Sequence, residues 1–581
     1  MMKRGLRGMA APALALVVGG CNVVLGLQPA TLDDPDAASG SSTATATSAT
    51  GGATCSDGMK DGAETGKDCG GGTCSPCPNG GGCVVGPDCE SKVCVGGTCL
   101  PPSCIDHIKN GSESDVDCGG ALGKSGCALC VNGKTCNDGT DCESSTCDGP
   151  ICVDYHVWSE GFGLLTEPHI SADTSGNVAV GAMFGSGTVV LGGGVGFTNQ
   201  GKNDVVVAKF DAEGKHLWSH GFGDAGDQYL KGIAADGAGN VIATGFFAGT
   251  VDFGGGALVN AGQFDIFVAK FDSGGKHVWS KRFGDKDTQF SQDVAIDLEG
   301  NVLLVGQLAG TTSFGGNALV AHSNVFVAKL DPAGAHLWSH KYGDATGDHY
   351  AEHVATDSLG NVVVVGKSNS TGAIDFGGPS LPGSLEQQSF AAKLDKDGNH
   401  VWSKVFSAPS GSLGLDVTGI ACDLGGNAVI VGSFGGSVDF GGGALVSAGG
   451  TDVFIAKFDA MGKLLWSKAY GDDKPQSAGA VAIDDGGRIV VLGSVAGSID
   501  FGNGVLNTEE GSFIVRLDPS GKPLWSRVFG KSTNADISAL ALSGNKDMIS
   551  AGSFKDPANL GGGPLVSGTD PSMFLAKFRV P

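Results

Sequence analysis

Asp293-Val-Ala-Ile-Asp-Leu-Glu-Gly-Asn-Val-Leu-Leu-Val-Gly-Gln-Leu308, followed by Val325-Phe-Val-Ala-Lys-Leu-Asp-Pro-Ala-Gly-Ala-His-Leu-Trp-Ser-His-Lys-Tyr342, is the stretch that decides the fold. Residues 293–297 read as a short strand, Leu298 to Asn301 as a turn, and Val302 to Leu308 as a second, apolar strand. After a loop carrying Phe314-Gly-Gly come a third strand, Val325 to Leu330, a turn at Asp331 to Gly334, and a fourth strand, His336 to Tyr342. Both turns begin with Asp and have Gly fourth. The Asp side chain caps the turn, and Gly takes the positive-φ position that follows.

The same grammar recurs through the chain. All seven tryptophans (Trp158, Trp218, Trp279, Trp338, Trp402, Trp466 and Trp525) precede serine, at gaps of 60, 61, 59, 64, 64 and 59 residues. The turn before the Trp strand recurs at Asp211/Gly214, Asp272/Gly275, Asp331/Gly334, Asp395/Gly398, Asp459/Gly462 and Asp518/Gly521. The turn after the first strand recurs at Asp173/Gly176, Asp236/Gly239, Asp297/Gly300, Asp357/Gly360, Asp423/Gly426 and Asp484/Gly487. A near-constant period of this length marks one supersecondary unit repeated. Four short antiparallel strands per unit predict an all-β chain, a seven-bladed β-propeller over 156–581. Strand alternation, β-branched content and Gly turns exclude a helical solenoid. Trp158 has no preceding Asp-x-x-Gly hairpin, and the last copy ends at Phe574-Leu-Ala-Lys-Phe-Arg579 without a Trp strand. The strand around His156 to Phe162 is therefore expected to complete the last blade, leaving no free edge.

The Gly-Asn-Val strand start, the Phe-Gly-Gly loop, Ala-Lys-Phe-Asp and Trp-Ser together resemble the bacterial seven-bladed β-propeller repeat family. That resemblance covers the propeller region, implies the fold and implies no activity. The Asp-x-x-Gly-Lys-x-x-Trp stretch is also similar to repeats of pyrroloquinoline-quinone enzymes and of outer-membrane assembly scaffolds.

Ahead of the propeller, Lys3, Arg4 and Arg7 precede an apolar stretch from Met9 to Val18 and then Val18-Gly19-Gly20-Cys21. This reads as a signal peptide over 1–20. Small residues before Cys21 resemble the bacterial lipobox, which implies lipidation of Cys21 and attachment to a membrane, with the cell envelope and outer membrane as location. Residues 21–54, nearly all Ala, Ser, Thr and Gly from Ala37 to Ala53, read as a flexible tether.

Sixteen of the 18 cysteines fall in two sets of eight with matching spacing. Module 1 (55–99) has Cys55, Cys69, Cys74, Cys77, Cys83, Cys89, Cys94 and Cys99; module 2 (100–152) has Cys104, Cys118, Cys127, Cys130, Cys136, Cys142, Cys147 and Cys152. In an exported chain such a set reads as a disulfide framework, with pairing left open. Zinc at the Cys-x-x-Cys pairs is the rival reading. The pattern is similar to cysteine-rich stretches of myxobacterial-type lipoproteins. Each module opens with an acidic loop, Asp57, Asp61, Glu64 and Asp68 or Asp106, Asn110, Glu113, Asp115 and Asp117. Oxygen ligands so closely spaced make calcium the candidate cofactor, against a solvated acidic turn.

Within the propeller, the tryptophans read as packing between blades. Lys209, Lys270, Lys329, Lys393, Lys457, Arg516 and Lys577 share one strand position and are expected to pair with nearby turn carboxylates. His156, His216, His277, His336 and His400 stand two before Trp, one per blade and too far apart to share a metal. His349 and His353 are four apart near a strand end, a weak metal signal, and Cys422 reads as core.

No Ser/His/Asp arrangement stands out, and no catalysis is expected. The loops that differ between copies supply the candidate binding face: Asp224, Asp227, Asp285, Asp287, Asp344, Asp348, Asp472 and Asp473. A net charge of −24 argues against nucleic acid. The expectation is a monomeric, lipid-anchored binding, adhesion or scaffold protein with a protein or glycan partner at the loop face. The alternatives are a quinoprotein-like or other propeller enzyme and an outer-membrane assembly scaffold. A propeller with Cys422 alone lacks the adjacent cysteine pair that resemblance to quinone enzymes implies.

Overall fold

The computed structural model describes residues 55–103 except Thr73, scattered positions from 107 to 152, and 155–579 except Thr346, Ser370, Leu385, 409–412, 531–534, 544–546 and 569–571. The signal peptide, Cys21 and the tether lie outside the described residues. Two compact units are distinguished, with module 1 in the first and the propeller in the second.

Module 1 is held by four disulfides, Cys55–Cys74, Cys69–Cys77, Cys83–Cys94 and Cys89–Cys99. Its buried apolar cluster consists of cysteines alone, so cross-linking replaces a core, typically at about 2–4 kcal/mol per bridge. Cys74 and Cys77 belong to different bridges, which removes the thiolates a zinc site needs. In module 2, Cys118–Cys130 repeats the Cys69–Cys77 pairing; Cys104, Cys127 and Cys142 lie outside the described residues.

The propeller is seven four-stranded antiparallel sheets. Blade 2 shows the order from channel to rim: Gln228–Ala235, Val241–Phe247, Asp265–Phe271 and His277–Phe283. Blade 7 takes three strands from the C-terminal end and its outer strand, His156–Gly163, from the start of the propeller. Lys577 pairs with Trp158 there, as Lys209 pairs with Trp218 inside blade 1. The ring closes as the sequence predicts.

The cores lie between blades. One cluster joins Val205 and Val207 of blade 1 to Leu230, Val241 and Phe267 of blade 2. The repeated polar residues tie this packing together. In six of the seven blades the first-turn Asp caps its own loop; Asp173, for example, accepts from the Ser175 and Asn177 amides. It also pairs with the third-strand cation: Lys209–Asp173 at 2.9 Å, Lys329–Asp297 and Lys393–Asp357 at 2.8 Å, Lys457–Asp423 at 2.9 Å and Arg516–Asp484 at 2.8 Å. Lys270–Asp236 is looser at 3.7 Å. In blade 7 Ser543 occupies the Asp position and the carboxylate has moved to Asp547, 3.1 Å from Lys577. The expected pairing of this cationic ring with turn carboxylates thus holds in every blade.

Five indoles hydrogen-bond to the following blade, whereas the buried Trp402 Nε1 has no hydrogen-bond partner among the described residues. Trp158 donates to the Ala212 carbonyl, Trp218 to Ser273, Trp279 to Pro332, Trp338 to Lys396 and Trp466 to Pro519, at 3.0–3.3 Å. Gly214, at φ 84°, lies under Trp158 so closely that a Cβ would sit 2.7 Å from the indole. The serine after Trp bonds the histidine two before it, as in His216–Ser219 at 2.9 Å and His336–Ser339 at 3.0 Å. The Phe-Gly-Gly loop closes over that imidazole, with Gly255 and Gly316 pressed against His277 and His336. These histidines are structural.

Candidate functional site

The loops leading into blades 2, 3 and 6 repeat one internal tie. Gln228 donates to Asp224 Oδ1 at 2.9 Å, Gln289 to Asp285 at 2.8 Å and Gln476 to Asp472 at 2.6 Å. The other carboxylate oxygen accepts the amide of Thr250, Thr311 or Ser498. Asp224, Asp285 and Asp472 are therefore occupied in shaping their own loops. Burial opposes the charge on Asp472, but donors from Lys474, Ser498 and Gln476 outweigh it and hold its pKa down to about 2.

A carboxyl with a depressed folded pKa stabilises above its unfolded value, about 3.9, and loses that contribution as pH falls toward its folded one. Stability is therefore expected to drop between about pH 4 and pH 2, and Asp472→Asn to flatten that drop. Urea titrations of both proteins across that range check it; parallel profiles would refute the assignment.

Of the other loop-face acids, Asp227 takes Lys202 at 2.9 Å and Asp287 takes Lys286 at 2.8 Å. Asp348 accepts from Gln307 and Ser323. Asp473 lies exposed in a groove of about 490 Å³ with Lys474, Asn507 and Glu509.

Blade 4 departs from the tie. His349 replaces the glutamine, with Nδ1 2.9 Å from Ser368 Oγ and Nε2 3.6 Å from Asp344 Oδ1. Asp, His and Ser thus meet, a juxtaposition the sequence reading did not find. Ser368 is 3% exposed and His349 is fully buried, so no acyl group can reach the hydroxyl, as nucleophilic catalysis requires. Burial also pushes the His349 pKa down.

The channel is built differently. Each inner strand carries an irregularity near its start, and the residue after it is His169, Gly232, Asp293, His353, Gly419, Ala480 or Ala539. All but Gly232 line a cavity of about 420 Å³. Blades 1, 3 and 4 contribute Glu167, His169, Asp293 and His353 to its lining, and blades 5 to 7 contribute Ile420, Val481 and Leu540 beside smaller residues. Asp293 is fixed by the Val294 and Val354 amides at 2.8 and 3.0 Å and stands 3.7 Å from His353 Nδ1.

Burial lowers the His169 pKa to about 4. Burial also works against protonation of His353, but the Asp293 carboxylate outweighs it and raises the pKa. Nearby, Lys231 pairs with Glu167 at 2.7 Å, and Lys367 bridges Glu352 and Asp416 at 3.0 and 2.8 Å. Glu167 holds φ at +48°, a left-handed conformation uncommon outside glycine.

Sequence reasoning grouped His353 with His349. The irregularity between Ala351 and His353 puts them in different surroundings, one in the channel and one buried against Ser368.

In module 1 the calcium candidates face their own backbone. Asp57 accepts from the Met59 amide, Asp68 from Gly58, and Glu64 from Asp61 and Asp68. In module 2 Asp115 accepts from Val116 and Thr135, and Glu113 is buried; Asp106, Asn110 and Asp117 lie outside the described residues. Cys422 is half-buried on its inner strand, with its thiol pushed up to about 12 by burial.

No known protein-family profile matches the chain. Part of it is 24% identical over 203 residues to an uncharacterized WD repeat-containing protein of Acanthamoeba polyphaga mimivirus, covering 29% of this chain and 14% of that protein. The chain thus spans a small fraction of that relative.

Among solved structures, a gluconolactonase of Xanthomonas campestris matches 58% of this chain and 84% of its own at 15% identity and a TM-score of 0.27. A Dyadobacter fermentans protein of unknown function matches 73% and 99% at 10% identity and 0.34. Prolyl oligopeptidase B of Galerina marginata matches 68% and 46% at 10% identity and 0.32. None of these likenesses carries a residue role to this chain. The class that the strands and the repeat define is a seven-bladed β-propeller with a disulfide-bonded N-terminal region.

Proposed function

We propose that this chain is a lipid-anchored, exported binding protein that presents its propeller's loop face and channel mouth to a protein or glycan partner. Support for anchoring comes from the lipobox-like Val18-Gly19-Gly20-Cys21 and the Ala/Ser/Thr/Gly tether behind it. The observation that carries the binding role is where the blades stop being alike. Packing residues recur in all seven, whereas one inner-strand position is Lys231, Glu352, Thr418, Gly479 or Ser538 depending on the blade. Charges gathered on one side of a rigid ring select a partner by complementarity.

A pull-down from cell envelopes tests this, with the immobilised full chain and a Lys367→Glu variant, across salt and calcium concentrations. A partner retained by the native chain and lost by the variant is expected. Retention of nothing, or of the same set by both, would sink the proposal.

A further inference from the structure

We infer that four aromatic rings on the loop face, Tyr229, Phe246, Phe264 and Phe290, form a platform that binds a neutral glycan by stacking. The inference rests on the loop-face reading above and names its partner class. The rings lie together. Phe246 is at the centre, with Tyr229 stacked on it at 4.9 Å between centroids, Phe290 edge-on at 4.5 Å and Phe264 edge-on at 5.4 Å. Phe264 closes the group, 6.1 Å from Tyr229 and 5.9 Å from Phe290. All four stand at strand ends beside the loops. Tyr229 and Phe290 are second on the inner strands of blades 2 and 3, Phe246 is last but one on its strand, and Phe264 directly precedes the third strand of blade 2.

The fold does not ask for these rings. Tyr229 pairs with Phe246 across the first two strands of blade 2. The same paired positions hold Asp416 and Ser433 in blade 5, Ser477 and Ser494 in blade 6, and Asp536 and Ser553 in blade 7. At Phe264 the repeat uses only the backbone: its carbonyl accepts the Gln289 amide at 2.9 Å, as Asn203 accepts from Gln228 and Thr451 from Gln476. Phe246, Phe264 and Phe290 stand outside the cores that join blade 2 to its neighbours, and Tyr229 only leans on one. Tyr229, Phe264 and Phe290 are half-buried. Rings left partly in water, where polar residues would serve the fold, mark an interaction surface.

The neighbours select the ligand. Asn203 donates to the Tyr229 hydroxyl at 3.3 Å, Thr288 to Gln263 beside Phe264 at 3.3 Å, and Gln307, paired with Phe290, to Ser323 at 2.8 Å. Amides and hydroxyls around a ring platform suit a ligand rich in alcohols. The face of an aromatic ring carries negative charge. A gluco-configured sugar ring, with its substituents equatorial, lays partly positive C–H groups on that face while its hydroxyls reach the rim. A standard protein interface buries about 800 Å² on each side around a larger apolar centre, more than three half-buried rings supply. The Asp227 and Asp348 carboxylates, bonded to Asn203 and Gln307, disfavour an acidic glycan.

The test titrates the oxidised full chain with cellohexaose, with chitohexaose and with the acidic hexagalacturonate. Calorimetry reads affinity, and saturation-transfer NMR reads which sugar protons touch the protein. Binding of a neutral hexamer with a Kd below about 1 mM is expected, with transfer strongest at ring C–H protons. Phe264→Ala and Phe290→Ala should each weaken it at least about tenfold. Phe264→Leu, which keeps apolar bulk without a ring, should do the same, and Phe264→Tyr should retain binding. Near-ultraviolet circular dichroism establishes folding, and the Leu and Tyr variants decide the matter where an Ala variant fails it. Binding of neither neutral hexamer, equal binding by folded ring variants, or stronger binding of the acidic hexamer would each overturn the assignment. A protein retained in the pull-down and lost by Lys367→Glu, with no glycan bound, would overturn the glycan alone and leave the loop-face reading standing. Glycan binding with a pull-down indifferent to Lys367→Glu would support the platform and count against the Lys367 side of that reading.

Discussion

Removing residues 156–163 should drive the chain into aggregates. That strand pairs with Ser572–Arg579 in a ladder running from Ser572↔Gly163 to Phe578↔His156. Without it, a long apolar strand becomes a free sheet edge, which templates association with other chains. The loss extends beyond the ladder. Trp158 would no longer reach the Ala212 carbonyl in blade 1, so the seam between first and last blades would lose its indole staple. Phe162 would leave the cluster it shares with Met573 and Leu575. Phe578 would lose its edge contact with His156.

Each large apolar side chain returned to water costs about 1.5–3 kcal/mol. Two or three of them approach the whole margin of a folded domain, about 5–15 kcal/mol. Size-exclusion chromatography of the deletion beside the intact chain reads the outcome, which should be aggregate or insoluble material. Elution at the position of the intact chain with an unchanged melting temperature would show that the seam does not hold the ring.

That closure was legible because it is written in absences, a Trp strand without its hairpin and a last copy without its Trp. The outer strands carry the strongest signals for a physical reason. Their tryptophans answer to a neighbouring blade, as do the third-strand lysines, which also pair with a turn aspartate of their own blade, so the copies keep these residue types. The channel answers to nothing inside the repeat. The inner-strand position after the irregularity takes His169, Gly232, Asp293 or Ala480 without changing the sheet behind it.

No period therefore marks it, and the irregularity at its threshold breaks the two-residue alternation by which a strand's faces are read. His349 illustrates the cost. In sequence it stands four before His353 and suggests a shared site, yet it fills the glutamine position of the loop tie. The loop acids misled in a related way. Their variation suggested display, whereas Asp224, Asp285 and Asp472 follow one Asp-x-x-x-Gln rule and are turned inward. Comparing the copies at that spacing would have exposed it.

The same demand from neighbouring blades makes the lysine ring the second place where one substitution should weigh heavily. Lys393→Met is expected to cost about 3–5 kcal/mol, the loss seen when one partner of a buried ion pair is removed. The Lys393 and Asp357 side chains are 2% and 1% exposed and 2.8 Å apart, so water cannot replace the lost partner. Lys393 also donates to the Gly426 carbonyl of blade 5 at 2.7 Å. Asp357 would keep its donors from Leu359 and Asn361 but no cation.

Burial already raises the cost of its charge, and the Lys393 hydrogen bond, with those of Asn361, is what keeps its pKa below the usual carboxylate value. Without the lysine it should ionise less readily and hold the turn less well. Asp357→Asn in the same chain removes the stranded charge while keeping a turn-capping side chain. The double variant should therefore recover part of the loss, a coupling that separates charge burial from lost packing. Lys286 supplies the contrast, since its pair with Asp287 is 81% exposed on the lysine side and Lys286→Met should leave the urea midpoint essentially where it is in the native chain. Urea denaturation of the native chain, both single variants, the double variant and Lys286→Met decides it. A loss below about 1 kcal/mol for Lys393→Met, or a double variant weaker than both singles together, would mean the ring is held by its tryptophans and phenylalanines alone.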